Sequence, residues 1–147
     1  MLLLMLRIHI RLVTLVIPLL DRMLPTPRLV RLLAKHDLWH PYRDIPADTI
    51  AKHVHTALRK PRWMKRRACY RLGLTMSHFL HLAGKPVVLH FAIAPPSCDA
   101  MRLHGHCWVT LDDRAITAPP EPSTGMRTFV RFNMGSGSPL TTNPKQP

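Results

Sequence analysis

The two hydrophobic periodicities of this chain are segregated. Up to about residue 84 the apolar residues recur at helical spacing, and beyond it they alternate as in strands. "IPADTIAKHVHTALRK" carries Ile50, Val54 and Leu58 at i, i+4, i+8, with Pro46 near the first helical position and Asp48 in the first turn. "CYRLGLTMSHFLHLAGK" repeats Leu72, Met76 and Leu80, and Gly84 suits a helix C′ position. "PVVLHFAIA" then reads as a β-branched strand, and "MRLHGHCWVTL" alternates with period two. Helices followed by strands, rather than alternating with them, predict an α+β fold with an antiparallel sheet.

The remaining elements fit that order. Residues 1–24 read as a helix that Pro18 bends or breaks, and "PRLVRLLAKH" reads as a second short helix. "DDR" is a hairpin turn before a short returning strand, "RAITA", and "MRTFVRFNM" is a further strand. The expected organisation is an apolar, basic amphipathic helix at 1–26, one domain at 27–134 and a disordered tail at 135–147. The first helix is interrupted by Arg7, His9 and Arg11, so its apolar runs are too short to span a bilayer. No A-x-A cleavage site follows it. It is free to pack on the core, on a partner or on a membrane surface.

Charge narrows the partners. The chain has 21 Lys+Arg against 8 Asp+Glu, a formal +13, which calls for an acidic partner. Six of the nine residues from Arg59 to Arg67 are basic, Arg66 and Arg67 among them. No RNA-binding aromatic motif or zinc-finger spacing appears, so nucleic acid is not the expected partner. Three cysteines, Cys69, Cys98 and Cys107, are too few for a secreted disulfide scaffold and suit a reducing, cytoplasmic setting.

One cysteine stands where chemistry is easy. The thiolate is the reactive form, and a helix N-terminus after a run of cations favours it. Cys69 has both features. Cys107 falls on the apolar face of its strand with Leu103, Val109 and Leu111, and reads as a small core residue. His104, His106, Trp108 and Thr110 face the other way. His106 lies 37 residues after Cys69, on a strand that a packed sheet could bring to the helix start, and a thiol–imidazole pair is the minimum for nucleophilic catalysis. A metal held by His104 and His106 with Cys98 or Cys69 would lack the C-x-x-C or H-x-x-x-H pair of a structural zinc site. No metal and no cofactor are therefore expected.

A helix-opening cysteine, then "AGKPVVLHFAI", then "HCWVTLDDR" resembles the transglutaminase-like cysteine-protease superfamily, and within it the lasso peptide biosynthesis B proteins. The resemblance covers about residues 27 to 120. It implies a central Cys-bearing helix packed on a small antiparallel sheet, in the transglutaminase-like or papain-like manner. It implies a stand-alone peptidase that removes the leader from a precursor peptide, with a separate leader-recognition protein and a lasso cyclase as partners. Carried over, Cys69 is the nucleophile and His106 the base. Trp108 walls the cleft, and Arg66 and Arg67 hold substrate.

Two features depart from the family pattern. The family's third member, an Asp about twelve residues past the His, falls near Ala118 here, where no acid stands. Thr117, Glu121 or a backbone carbonyl are the open substitutes, because Asp112 is roughly 20 Å along the strand at ~3.3 Å per residue. The cysteine is followed by Tyr-Arg-Leu rather than Leu-x-Arg. The alternative to an enzyme is a catalytically degenerate or non-enzymatic basic adaptor for an acidic peptide, a membrane surface or nucleic acid.

Overall fold

The computed structural model describes residues 1–35, 39–59, 68–94, 105–136 and 138–140. Four helices come first: α1 (Leu2–Met23), α2 (Thr26–Ala34), α3 (Ala47–Leu58) and α4 (Ala68–Leu82). Five strands follow: β1 (Val87–Ile93), β2 (Gly105–Leu111), β3 (Arg114–Ala115), β4 (Arg127–Asn133) and β5 (Ser138–Leu140). They form one antiparallel sheet in the order β3-β2-β1-β4-β5. The α+β expectation holds.

Helix α4 is the keystone. All ten residues from Gly73 to Leu82 are buried, because α4 lies between the sheet and the other three helices. Leu74, Met76, Phe79 and Leu80 share one core with Leu29 and Val30 of α2, Ile50 and Val54 of α3, and Leu89 and Val109 of the sheet. The helix stops where the sequence says it should. Gly84 adopts φ +66°, its N–H donates to the His81 carbonyl and that of Lys85 to Leu80, the paired bonds of a Schellman cap. Two polar side chains of so buried a helix are paired: Ser77 donates to the Leu74 carbonyl, and His78 Nδ1 donates to the Leu33 carbonyl of α2 at 3.0 Å.

The strand pair that carries the candidate site is set by its turn. Asp112 and Asp113 both take positive φ, +49° and +61°, the type I′ geometry that matches strand twist and that Asp tolerates. Leu111 therefore pairs with Arg114 and Thr110 with Ala115. β3 is only two residues long, yet Ile116 still bonds the Val109 carbonyl and Thr117 Oγ1 accepts the Val109 N–H at 2.9 Å.

Of the surfaces open to α1, the core takes one face: Leu6, Ile10 and Ile17 are buried in the common core, and His9 Nδ1 bonds the Tyr42 hydroxyl at 2.9 Å. α1 runs as one helix through Pro18 to Met23. After β4 the side chain of Asn133 accepts the Gly135 N–H, and β5, Ser138–Leu140, pairs back onto β4. α1 also passes, by length and composition, as a helix able to cross a membrane, despite the interrupting arginines. Its outer face carries Leu4, Ile8, Leu12, Leu15 and Leu19 at helical spacing, with Leu15 66% and Leu19 59% exposed.

Candidate active site

The site forms where the first turn of α4 meets the first residues of β2. Two observations fix that junction. Tyr70 anchors the start of α4: its hydroxyl bonds Thr26 Oγ1 at 3.1 Å, its ring lies 5.9 Å from that of Phe91, and burial pushes its pKa up to about 12. One turn later, Gly73 lets α4 close on β2, since a Cβ there would stand 2.5 Å from Cys107 Sγ and 3.2 Å from Leu89 Cδ1. Cys107 is thus the small core residue that its strand face predicted. It is free and buried, and burial, followed by the nearby Cys69, raises its thiol pKa, so it stays protonated and inert.

Cys69 is free and half-buried, in the first turn of α4. Cys69 and His106 line the same two cavities, of about 710 and 570 Å³. No hydrogen bond joins the two side chains among the described residues, a looseness common before substrate tightens a site. The imidazole is nevertheless oriented. His106 Nε2 lies 2.8 Å from the Ala118 carbonyl oxygen. A carbonyl can only accept, so Nε2 carries the proton and Nδ1 keeps the lone pair. Tautomer and ring plane are thereby set, with Nδ1 as the basic nitrogen.

The register explains this contact. A two-residue turn at 112–113 brings residue 118 back beside 106–107, so the backbone stands where the family's Asp would. Of the other open substitutes, Thr117 is committed to the Val109 N–H, and Glu121 is exposed with Ser123 as a neighbour. A neutral carbonyl holds the tautomer but stabilises an imidazolium less than a carboxylate does.

Trp108 lines neither of these cavities. It is 9% exposed and stacks between His90, at 4.9 Å and 11°, and His106, at 6.1 Å and 26°. Its contact with the site is as a plate behind the imidazole. His90 donates to or accepts from Thr110 Oγ1 at 2.8 Å, and burial, with Arg131 beside it, lowers its pKa to about 4. His90 therefore stays neutral at physiological pH, and no like charge opposes a proton on His106 from that side. Arg66, Arg67, His104 and Cys98 lie outside the described residues. Among the described residues no three His, Cys, Asp or Glu side chains gather as metal ligands.

The cavities contain what sequence reasoning missed. The larger is walled by Tyr70, Phe91, Phe129, Val130 and Phe132. The smaller takes Lys52, His55 and Thr56 from the outer side of α3 and Arg59 from its C-cap. Only strand pairing could reveal the first set. The second was visible as polar positions of an amphipathic helix, but not as neighbours of Cys69.

Searches of curated proteins and of solved structures return no match. A family model for the transglutaminase-like superfamily matches residues 6–131. That span runs from within α1 to within β4, with the Cys69 helix and the His106 strand in the order just described, and the chain belongs to the transglutaminase-like superfamily, which includes cysteine peptidases.

Proposed function

We propose that the protein is a cysteine peptidase that removes the leader from a ribosomally made lasso precursor peptide, working with a separate leader-recognition protein and ahead of a lasso cyclase. The peptidase reading rests chiefly on one observation: Cys69 and His106 line the same cavities, and the Ala118 carbonyl leaves Nδ1 of His106 as the basic nitrogen. The lasso assignment rests on the likeness of "HCWVTLDDR" and "AGKPVVLHFAI" to that family's segments. In the reaction, Nδ1 takes the Sγ proton and the thiolate adds to the scissile carbonyl. The C–N bond breaks as the imidazolium protonates the leaving amine. Water, deprotonated by the same nitrogen, then hydrolyses the thioester and restores the thiol.

Alkylation tests the pair without a substrate. At neutral pH iodoacetamide labels Cys69 ahead of Cys107, and His106→Ala slows labelling of Cys69 at least tenfold, read residue by residue by mass spectrometry. Equal labelling of Cys69 with and without His106 rejects the pair.

The exposed apolar face of α1 favours a second reading, an adaptor held on an anionic membrane surface by that face, Arg22 and the overall +13 charge. In that case the protein sediments with vesicles of anionic phospholipid, the pair Leu12→Glu and Leu15→Glu releases it, and Cys69→Ser does not. Wild-type protein left in the supernatant refutes it.

A further inference from the structure

The site's surroundings differ sharply on its two sides. Toward the sheet, the cavity that Cys69 and His106 line is aromatic and apolar, with Tyr70, Phe91, Ile93, Phe129 and Phe132 in its wall. Toward α3, their second cavity brings in Lys52, His55 and Arg59. A third cavity, of about 750 Å³, shares Lys52, Thr56 and Arg59 with the second and adds Arg7, Arg11 and His53. The three spaces therefore form a chain with the thiol and imidazole at one junction. Among the described residues no carboxylate lines the third cavity, and Asp48, the only acid of α3, sits a turn before Lys52 outside it. His53 feels this field: after burial, Arg7 and Lys52 are the causes that lower its pKa.

Resting on the peptidase reading, we propose that the cleft selects a peptide of divided polarity. Apolar or aromatic residues on one side of the scissile bond enter the Phe91–Phe129 cavity. Acidic residues on the other side run along Lys52 and Arg59 to Arg7 and Arg11. Cations gathered in a concave surface raise the local concentration of anionic groups and orient them before contact. An apolar cavity adjoining the thiol adds affinity by area buried. A polyphosphate strand would use the cations but leave the junction with Cys69 and His106 without a purpose, so a polypeptide fits the whole path better.

The test is equilibrium binding to the full-length Cys69→Ser protein, which cannot turn the peptide over. The probes are fluorescent ten-residue peptides with a Leu/Phe half and an Asp/Glu half. The divided peptide binds at least tenfold tighter than versions with Lys for the acids or Ser for the apolar half, and added salt erases the first difference. Lys52→Glu with Arg59→Glu, both exposed positions, weakens the acidic peptide at least tenfold and leaves a neutral one unchanged. Arg7→Ala with Arg11→Ala shows the same pattern more weakly. Charge reversal without effect on the acidic peptide overturns the proposal, as does tighter binding of an oligonucleotide at the same salt. The alkylation experiment keeps the two readings apart. His106-dependent labelling with charge-blind binding defeats this proposal alone. Charge-selective binding without His106-dependent labelling keeps the cleft's selectivity and defeats the peptidase.

Discussion

Cys69→Ala leaves no measurable peptide hydrolysis, and His106→Ala lowers kcat/KM by at least 10³-fold, about 4 kcal/mol of transition-state stabilisation at 1.36 kcal/mol per tenfold. The two effects do not add, since a thiol without its base and a base without its thiol both lose the same step. Assayed on a divided peptide of the kind described above, Cys69→Ala with His106→Ala is no worse than Cys69→Ala alone. Cys107→Ala serves as the internal control. Its sulfur is buried against Gly73 and held protonated, so its removal costs some stability and leaves the chemical step intact. A Cys107→Ala loss as deep as that of Cys69→Ala sinks the assignment of the nucleophile. A His106→Ala enzyme that keeps full kcat/KM sinks the base.

The carbonyl of Ala118 bears on how well that base is held. An imidazole whose Nε2–H is held by a neutral acceptor gains orientation but little charge stabilisation, in contrast to one held by a carboxylate. The same hydrogen bond was readable in outline from the sequence. Asp112-Asp113 is a strong two-residue turn signal, and counting back from it lands on residues 118 and 119 opposite 107 and 106. What counting could not decide was which atom would fill the place of the missing acid, because that depends on where Thr117 Oγ1 goes, and it goes to the Val109 N–H.

Other features were legible for the same local reasons. The end of α4 at Gly84 follows from a positive φ that glycine adopts freely, and the inward face of β2 follows from its period of two. The role of α1 was not legible in the same way. Its sequence is apolar around most of its circumference, so periodicity alone could not say that Leu6, Ile10 and Ile17 enter the core while Leu12, Leu15 and Leu19 stay outside. Nor could the period of β2 place Trp108. It shares a strand face with His106, but the neighbouring strand brings His90 onto its ring, and cross-strand partners are non-local information. The chain of cavities is of the same kind, built from α1, α3, α4 and the sheet.

Gly73→Ala destabilises the protein by about 2 kcal/mol, although alanine is the better helix former. In an exposed helix the change would gain roughly 0.5–1 kcal/mol. Here the new methyl meets Cys107 Sγ at 2.5 Å and Leu89 Cδ1 at 3.2 Å. Both belong to the buried core, and overpacking a core typically costs about 1–3 kcal/mol. Relief requires α4 to move off the sheet. Because Cys69 lies one turn before Gly73, that movement also carries the thiol away from His106, so hydrolysis falls by more than the folded fraction does. The partner mutation makes the claim specific. Cys107→Ala removes the sulfur that the methyl meets and alone costs about 1 kcal/mol through the small cavity it leaves. The double variant, Gly73→Ala with Cys107→Ala, fills that cavity with the new methyl, and recovers most of the lost stability and the lost alkylation rate of Cys69. A double-mutant cycle by urea denaturation should give a favourable coupling of about 2 kcal/mol. Additive losses in the cycle would mean that α4 and β2 do not meet at Gly73 and Cys107, and the packing that sets Cys69 and His106 on the same cavities would fall with them.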